Sequence, residues 1–270
     1  MSGTLLRIGW LSSAGGEGSR GLLMHTLQAI DSGRLNARLE FVFSNRARGQ
    51  RQATDQYFDL VEERGIPLVT LSSYRFRRAR GNQPWDDSAR EAYDRAVMDR
   101  LDGFAPDLCV AAGYMLIAPL LCERFPMVNL HPALPDGPIG TWQTVIWQLI
   151  EQSAPETGVM VNRVTREVDA GPVVSYCRFP LTGKKFSALW SEVKGRSVDA
   201  LREEMGEAQP LFRAIREASL QRERVLLPET LIAVQQGRLS INGASTPASA
   251  DLTDEVEAQL TGTRSETGLN

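Results

Sequence analysis

The residues best suited to chemistry in this chain are an amide, an imidazole and a carboxylate: Asn129, His131 and, 38 positions further on, Asp169. His131 is one of only two histidines in the chain. It closes the apolar run Phe125-Pro-Met-Val-Asn-Leu-His131, a pattern that predicts a buried strand. Side chains alternate along a strand, so Asn129 and His131 point to the same face. Pro132 ends the pairing and leaves both at the carboxyl end of the strand, where ligands bind in open α/β sheets. Asp169 lies in Val168-Asp-Ala-Gly-Pro172, which is also good turn chemistry. Taken singly, His131 is more often a satisfied structural histidine and Asp169 a turn residue. Together they form a set that can polarise a carbonyl and move protons.

A second feature is the small-residue stretch Ser12-Ser-Ala-Gly-Gly-Glu-Gly-Ser19, between a first strand and a first helix. Glycines let backbone approach a ligand, and a helix N-terminus offers N–H groups to an anion. No Gly-Lys-Ser/Thr follows and the GxGxxG spacing is absent, so the stretch is neither a Walker A loop nor a dinucleotide fingerprint. A plain βα turn accounts for it equally well, although Arg20 at the helix start favours a phosphate contact. The arginines at 75, 77, 78 and 80 read as a solvated surface loop rather than a phosphate clamp. Glu223, between Arg222 and Arg224, reads most simply as an exposed helix charge. No metal site is expected: His25 sits mid-helix, and no ligand pair has zinc spacing.

The bulk numbers describe an ordinary globular chain. Of 270 residues, 42% are hydrophobic and 23% charged. A net charge of -3 gives no electrostatic case for nucleic acid or an anionic membrane as a partner. No apolar run approaches the roughly 20 residues needed to span a bilayer. Cys109, Cys122 and Cys177 are scattered and read as reduced core residues, so a cytoplasmic location is expected.

Strands are expected at 5–11, 38–43, 68–71, 107–112 and 125–131, separated by helices at 20–31, 50–64 and 86–103. The alternation predicts an α/β fold of Rossmann-like type: a mostly parallel sheet with helices on both faces. Beyond the Pro- and Gly-rich loop 132–140, a helix is expected at 142–151, then strands at 158–164 and 172–179 around the Asp169 loop. Residues 186–236 read as helical and 237–243 as a short closing strand. One domain over 1–243 and a loosely ordered tail over 244–270 are expected, the tail being rich in Ser, Thr, Ala and Glu.

In combination these residues resemble the folate-dependent formyltransferases, and most of all their glycinamide ribonucleotide branch. Asn129-Leu-His-Pro-Ala-Leu134 matches that family's Asn-x-His-Pro-(Ser/Ala)-Leu stretch, and Asp169-Ala-Gly-Pro172 its Asp-x-Gly-Pro loop. Gly16-Glu-Gly-Ser-Arg20 matches Gly-x-Gly-Ser-Asn with Arg in place of Asn. Phe43-Ser-Asn45, Glu91-Ala-Tyr-Asp94 and Ala112-Gly-Tyr-Met-Leu-Ile-Ala-Pro119 match further motifs, so the resemblance runs from about residue 6 to 243. Three departures bear on the acceptor: a longer segment at 183–220, a changed loop after His131, and a helix whose Trp142 and Trp147 look more like methionyl-tRNA formyltransferase.

The resemblance implies formyl transfer from the co-substrate 10-formyltetrahydrofolate to the amine of a small acceptor, with no metal. Asn129 and His131 would stabilise the charge that builds on the formyl oxygen, a donor at such a place being worth on the order of 3 kcal/mol. Asp169 would hold His131 protonated and pass the proton from attacking amine to leaving nitrogen. Met115, Leu116 and Ile117, with the loop of Arg166, Glu167 and Val168, would line the pterin pocket. Gly18, Ser19 and Arg20 would hold an acceptor phosphate, and Glu223 would contact the acceptor. Sugar and tRNA formyltransferases usually carry a further C-terminal domain, for which the tail reads as too short. This favours a phosphorylated small molecule such as glycinamide ribonucleotide in purine synthesis. Another amine, or water as in formyltetrahydrofolate hydrolase, stays open as the acceptor, and so does an inactive binding protein. The sequence leaves the oligomeric state open, a homodimer included.

Overall fold

A computed structural model of the chain describes residues 4–81, 83–116, 119–167, 170–241 and 249–266. They divide into two compact units, one of residues 1–130, 162–172 and 231–247, the other of 131–161, 173–230 and 248–270.

In the first unit the strands β1 (Leu6–Ser12), β2 (Ala37–Ser44), β3 (Leu68–Thr70), β4 (Leu108–Ala111) and β5 (Met127–His131) lie in the order β3-β2-β1-β4-β5. All four pairings are parallel, and the sequence expectation of a mostly parallel α/β fold holds. The chain steps outward from β1 to β2 and β3, then returns to place β4 on the other side of β1. Right-handed crossovers in opposite directions put helices on opposite faces: α1 (Glu17–Asp31) and α2 (Gln52–Glu63) on one, α4 (Asp87–Arg100) on the other. The order therefore reverses between β1 and β4, and in open α/β sheets the carboxyl ends at such a reversal are where ligands bind.

Burial on both faces explains why these strands are near-continuous apolar runs. Gly9 is demanded by packing, because a Cβ there would fall 2.6 Å from both Sγ of Cys109 and the Phe41 ring. Buried polar groups are matched: the Trp10 indole N–H donates to the Tyr57 hydroxyl at 2.9 Å. Asp86 caps α4 by accepting from the Ala89 N–H at 2.9 Å.

Two expectations in this unit are corrected. The segment 73–85 is not an irregular loop throughout, because Ser73–Ala79 forms the short helix α3, capped by the Ser72 side chain. Phe76 drives it by packing edge-on against Tyr93 and Trp85, and Arg77 stacks 4.0 Å over the Trp85 ring. No strand forms over 237–241, the described part of the expected closing strand. Gly237 instead takes φ 72° and ends the preceding helix, with the Leu239 N–H bonded back to the Ala233 carbonyl.

In the second unit β6 (Glu156–Arg163) and β7 (Val173–Pro180) are the arms of a hairpin. Their ends face in antiparallel register, with Arg163 N–H on the Pro172 carbonyl and Leu181 N–H on the Pro155 carbonyl. Helices α6 (Trp142–Glu151), α7 (Lys184–Val193), α8 (Val198–Met205) and α9 (Pro210–Gln235) follow the chain, after the short α5 (Leu121–Arg124) of the first unit. Trp142 and Trp147 both pack on Phe212.

The expected loose tail is also corrected. Ala250–Asp251 forms β8, parallel to β7, and Thr253–Glu266 forms helix α10. Leu252 and Val256 are its buried anchors, at 3% and 0% exposure, and Arg222 pairs with Glu257. Two well-placed apolar side chains dock a segment whose average composition is polar.

Candidate active site

Strand β5 carries Asn129 and His131 at its carboxyl end, two residues apart as the alternation requires. Asn129 is half-buried and His131 is 3% exposed. The ring is oriented by the loop behind it: Nε2 lies 2.9 Å from the carbonyl oxygen of Pro138 and donates to it. A carbonyl can only accept, so this bond places a proton on Nε2.

The two loops that leave β1 and β4 meet at the carboxyl ends of those strands. Ser13 N–H donates to the Gly113 carbonyl at 3.1 Å, and Met115 N–H donates to the Ser13 hydroxyl at 3.0 Å. Gly113 has φ 66°, and a Cβ there would fall 2.6 Å from Oγ of Ser19. The glycine loop and the Met115 segment are thus seated directly on each other. Ala14 is held at φ 46° by bonds on both sides, its N–H to Oγ of Ser12 and its carbonyl to the Thr54 hydroxyl. The N-cap of α1 is Gly16, with no side-chain cap, so the first N–H groups of the helix, around Gly18 and Ser19, point into the loop. Arg20 follows within that first turn.

The Met115 side chain is 69% exposed, whereas Leu116 is partly buried against the core of this unit. An exposed apolar side chain on a tied-down backbone suits a planar ring ligand. Ile117 lies outside the described residues. The far end of this segment is anchored by Asp94, 1% exposed, whose Oδ2 accepts from the N–H groups of Leu120 and Leu121 at 2.9 and 3.1 Å. Burial pushes its carboxyl up to about 6, against the pull of those two bonds. Sequence reasoning noted Asp94 only as part of a motif, since nothing local shows that it reaches residue 120.

The loop after β6 runs beside β5, with Val164 N–H bonded to the Met127 carbonyl at 2.8 Å. The Thr165 hydroxyl donates to the Glu167 carbonyl at 2.8 Å. Arg166 points its side chain away along the surface, to Glu123 at 2.6 Å and Glu91 at 3.0 Å. Its guanidinium anchors the loop, which leaves the backbone of Arg166 and Glu167 as the part able to meet a ligand. Val168 and Asp169 lie outside the described residues.

Glu223, in the second unit, is 8% exposed rather than a solvated charge, and pairs with Arg216 at 2.8 Å. Arg216 in turn lies 4.4 Å over the Trp142 ring. A cavity of about 600 Å³ in this unit is lined by Trp190, Lys194 and Arg196 among others. It contains none of the candidate residues, and the chemistry is assigned by side-chain type and strand-end position instead. Among the described residues no group of three or more His, Cys, Asp or Glu is arranged to hold a metal.

Comparison with known proteins fits this geometry. The sequence profile described as formyl transferase matches residues 15–185. The phosphoribosylglycinamide formyltransferase of Escherichia coli K12 is 30% identical over 172 residues, covering 62% of this chain and 70% of its own length. Glycinamide ribonucleotide transformylase 1 from Symbiobacterium toebii shares the fold, with a TM-score of 0.64 at 24% identity over 91% of this chain and 94% of that one. A formyltetrahydrofolate deformylase from Pseudomonas syringae pv. tomato does so with a TM-score of 0.60 at 18% identity, over 91% of this chain and 66% of that one. The profile match spans well over half of the chain and includes the Asn129–His131 strand end, and on that ground the chain belongs to the formyl transferase family.

Proposed function

We propose that this formyl transferase takes its formyl group from 10-formyltetrahydrofolate and delivers it to the amine of a small phosphorylated acceptor, glycinamide ribonucleotide, in purine biosynthesis. The observation that carries this reading is the end of β5. An amide and an imidazole share one face there, and the Pro138 carbonyl holds the imidazole with a proton on Nε2.

The folate supplies the formyl carbon as an electrophile; the chain's own residues place charge and protons around it. The Asn129 side-chain N–H and Nδ1–H of His131 donate to the formyl oxygen as it gains negative charge, and donors set in advance need no reorganisation. Asp169 takes the proton released by the attacking amine and returns one to the departing nitrogen, directly or through a water. Met115, Leu116 and Ile117 form the apolar wall for the pterin, and the backbone of Arg166, Glu167 and Val168 bonds its polar edge. Gly18, Ser19 and Arg20 bind the acceptor's phosphate at the start of α1. Glu223, already held by Arg216, contacts the acceptor as part of that ion pair. The relatives named for glycinamide ribonucleotide support the acceptor.

The test is to incubate the purified protein with 10-formyltetrahydrofolate, with and without glycinamide ribonucleotide, and follow tetrahydrofolate release. Release that depends on the ribonucleotide is the expected result. Release without it would make water the acceptor, and no release with folate bound would require a different amine.

A further inference from the structure

The segment 183–220, longer here than in the family the chain resembles, builds a cavity to which formyl transfer gives no role. Helices α7 and α8, the end of α6 and the foot of the β6–β7 hairpin line its volume of about 600 Å³, a size usual for small-molecule pockets. Its walls are fixed by backbone bonds. Leu181 N–H donates to the Pro155 carbonyl at 2.8 Å, and the Leu181 carbonyl accepts from the Trp190 indole N–H at 2.7 Å. The second bond holds the Trp190 ring in the wall with its polar atom already satisfied. At the end of α6, Ser153 takes φ 49°, a conformation glycine adopts more readily, and Ala154 N–H closes the turn on the Leu149 carbonyl at 3.0 Å. Between α7 and α8, residues 193–196 form a type II turn. Lys194 has φ -59° and ψ 126°, Gly195 has φ 76°, and Arg196 N–H donates to the Val193 carbonyl at 3.1 Å. This turn sets Lys194 on the cavity lining.

The charges around the cavity are unevenly matched. Arg196 is taken by Glu204, and Lys185 by Glu217. Lys194, Glu151 and Asp199 line the cavity, and among the described residues none of the three has an ion-pair partner. The start of α8 adds to the positive side. Its cap Ser197 accepts from the Ala200 N–H, which leaves the N–H groups of Val198 and Asp199 without a helical acceptor. A phosphate would meet Glu151 and Asp199 as well as Lys194, and a simple cation would leave Lys194 unanswered. A zwitterion satisfies both signs: its carboxylate takes Lys194 and the α8 N–H groups, and its ammonium takes the two carboxylates. The Trp190 ring, with Ile150 and Val193 at 5% and 6% exposure, offers apolar surface for the rest of such a molecule.

We propose that this cavity binds a free α-amino acid with a large apolar or aromatic side chain, its body on Trp190, its carboxylate on Lys194 and its ammonium on Glu151 and Asp199. The site lies within the second unit and does not depend on the formyl-transfer reading.

The test is titration calorimetry on the full chain with L-phenylalanine, L-tryptophan, L-leucine and L-methionine. At least one of them should bind wild type, and glycine, which lacks the apolar body, should bind at least about tenfold more weakly. The N-acetyl derivative and the carboxamide of the tightest binder each lack one charge and should also lose about tenfold or more. Lys194→Met should weaken the amino acid about tenfold and leave the carboxamide unaffected, because that ligand has no carboxylate to lose. Glu151→Gln combined with Asp199→Asn should weaken the amino acid and leave the N-acetyl derivative unaffected. All three side chains are exposed, so thermal midpoints without ligand should match wild type and check folding. Asn129→Ala, at the formyl-transfer site, should bind the amino acid as wild type does. No binding of any of the four amino acids would overturn the proposal, as would binding indifferent to both Lys194→Met and the double variant. Binding lost in Asn129→Ala would overturn it too, by placing the ligand at the end of β5. Intact amino-acid binding in a protein that transfers no formyl group would uphold this site and refute only the reading of the reaction.

Discussion

A Cβ added to Gly171 would lie 1.8 Å from the carbonyl oxygen of Arg163 and 2.8 Å from its carbonyl carbon. These are backbone atoms at the neck of the β6–β7 hairpin, where Arg163 N–H also bonds the Pro172 carbonyl at 2.9 Å. No side chain can rotate aside to make room. Gly171→Ala should therefore open the neck and cost about 3 kcal/mol of stability, read by urea denaturation. Asp169 precedes Gly171 by two residues in the chain, so turnover should fall at least about a hundredfold in the variant that remains folded. Full activity would mean that the loop does not need the closure.

His131→Ala and Asp169→Ala should each lower kcat by about a thousandfold or more, and Asn129→Ala by on the order of a hundredfold. Thermal midpoints should stay close to wild type for Asn129→Ala, whose side chain is only half-buried. Near-normal kcat in the His131 or Asp169 variant would remove the catalytic assignment.

Arg166→Leu separates anchoring from stability. The Arg166 side chain is 51% exposed and its partners Glu91 and Glu123 are 29% and 53% exposed, so removing both pairs should leave stability nearly unchanged. The loop it fixes would then sample more positions. The expected outcome is a KM for folate raised about three- to tenfold in steady-state kinetics, with acceptor KM little changed.

Asp94 gives the fold a pH dependence whose sign follows from its raised pKa of about 6. A raised carboxyl favours the folded state when protonated. Its stabilising contribution is complete below the unfolded value near 3.8 and is lost as pH rises through about 6. Asp94→Asn keeps an oxygen for the Leu120 and Leu121 N–H groups but cannot ionise. The variant should therefore gain on wild type by on the order of 2 kcal/mol as pH goes from 4 to 7. Denaturant midpoints measured across that range check it, and a constant difference between the two proteins would contradict the assignment.

Val256→Ala tests whether the C-terminal helix α10 belongs to the folded body. Val256 is fully buried, so its truncation should cost about 2 kcal/mol in denaturant unfolding. A loosely ordered tail would show no change.

By itself the sequence determined the α/β class, the β5 strand end and the glycine loop, because each is written in a local pattern. Period-two alternation puts Asn129 and His131 on one face, a proline ends the strand, and glycines mark a close backbone approach. The burial of Cys109 and Cys177 follows from equally short apolar runs, whereas Cys122, also expected in the core, is only partly buried. Only the tertiary structure decided the rest. Pro138 holds the His131 ring because the loop folds back on the strand. Asp94 reaches Leu120 across 26 positions, and Arg46 meets Gly15 because β2 lies beside β1. The helix at 73–79 depends on Phe76 finding Tyr93 and Trp85, and α10 depends on Val256 finding a buried seat beneath a polar composition. Contacts between residues distant in sequence leave no periodicity to read. Their energy appears only after the strands have chosen their order.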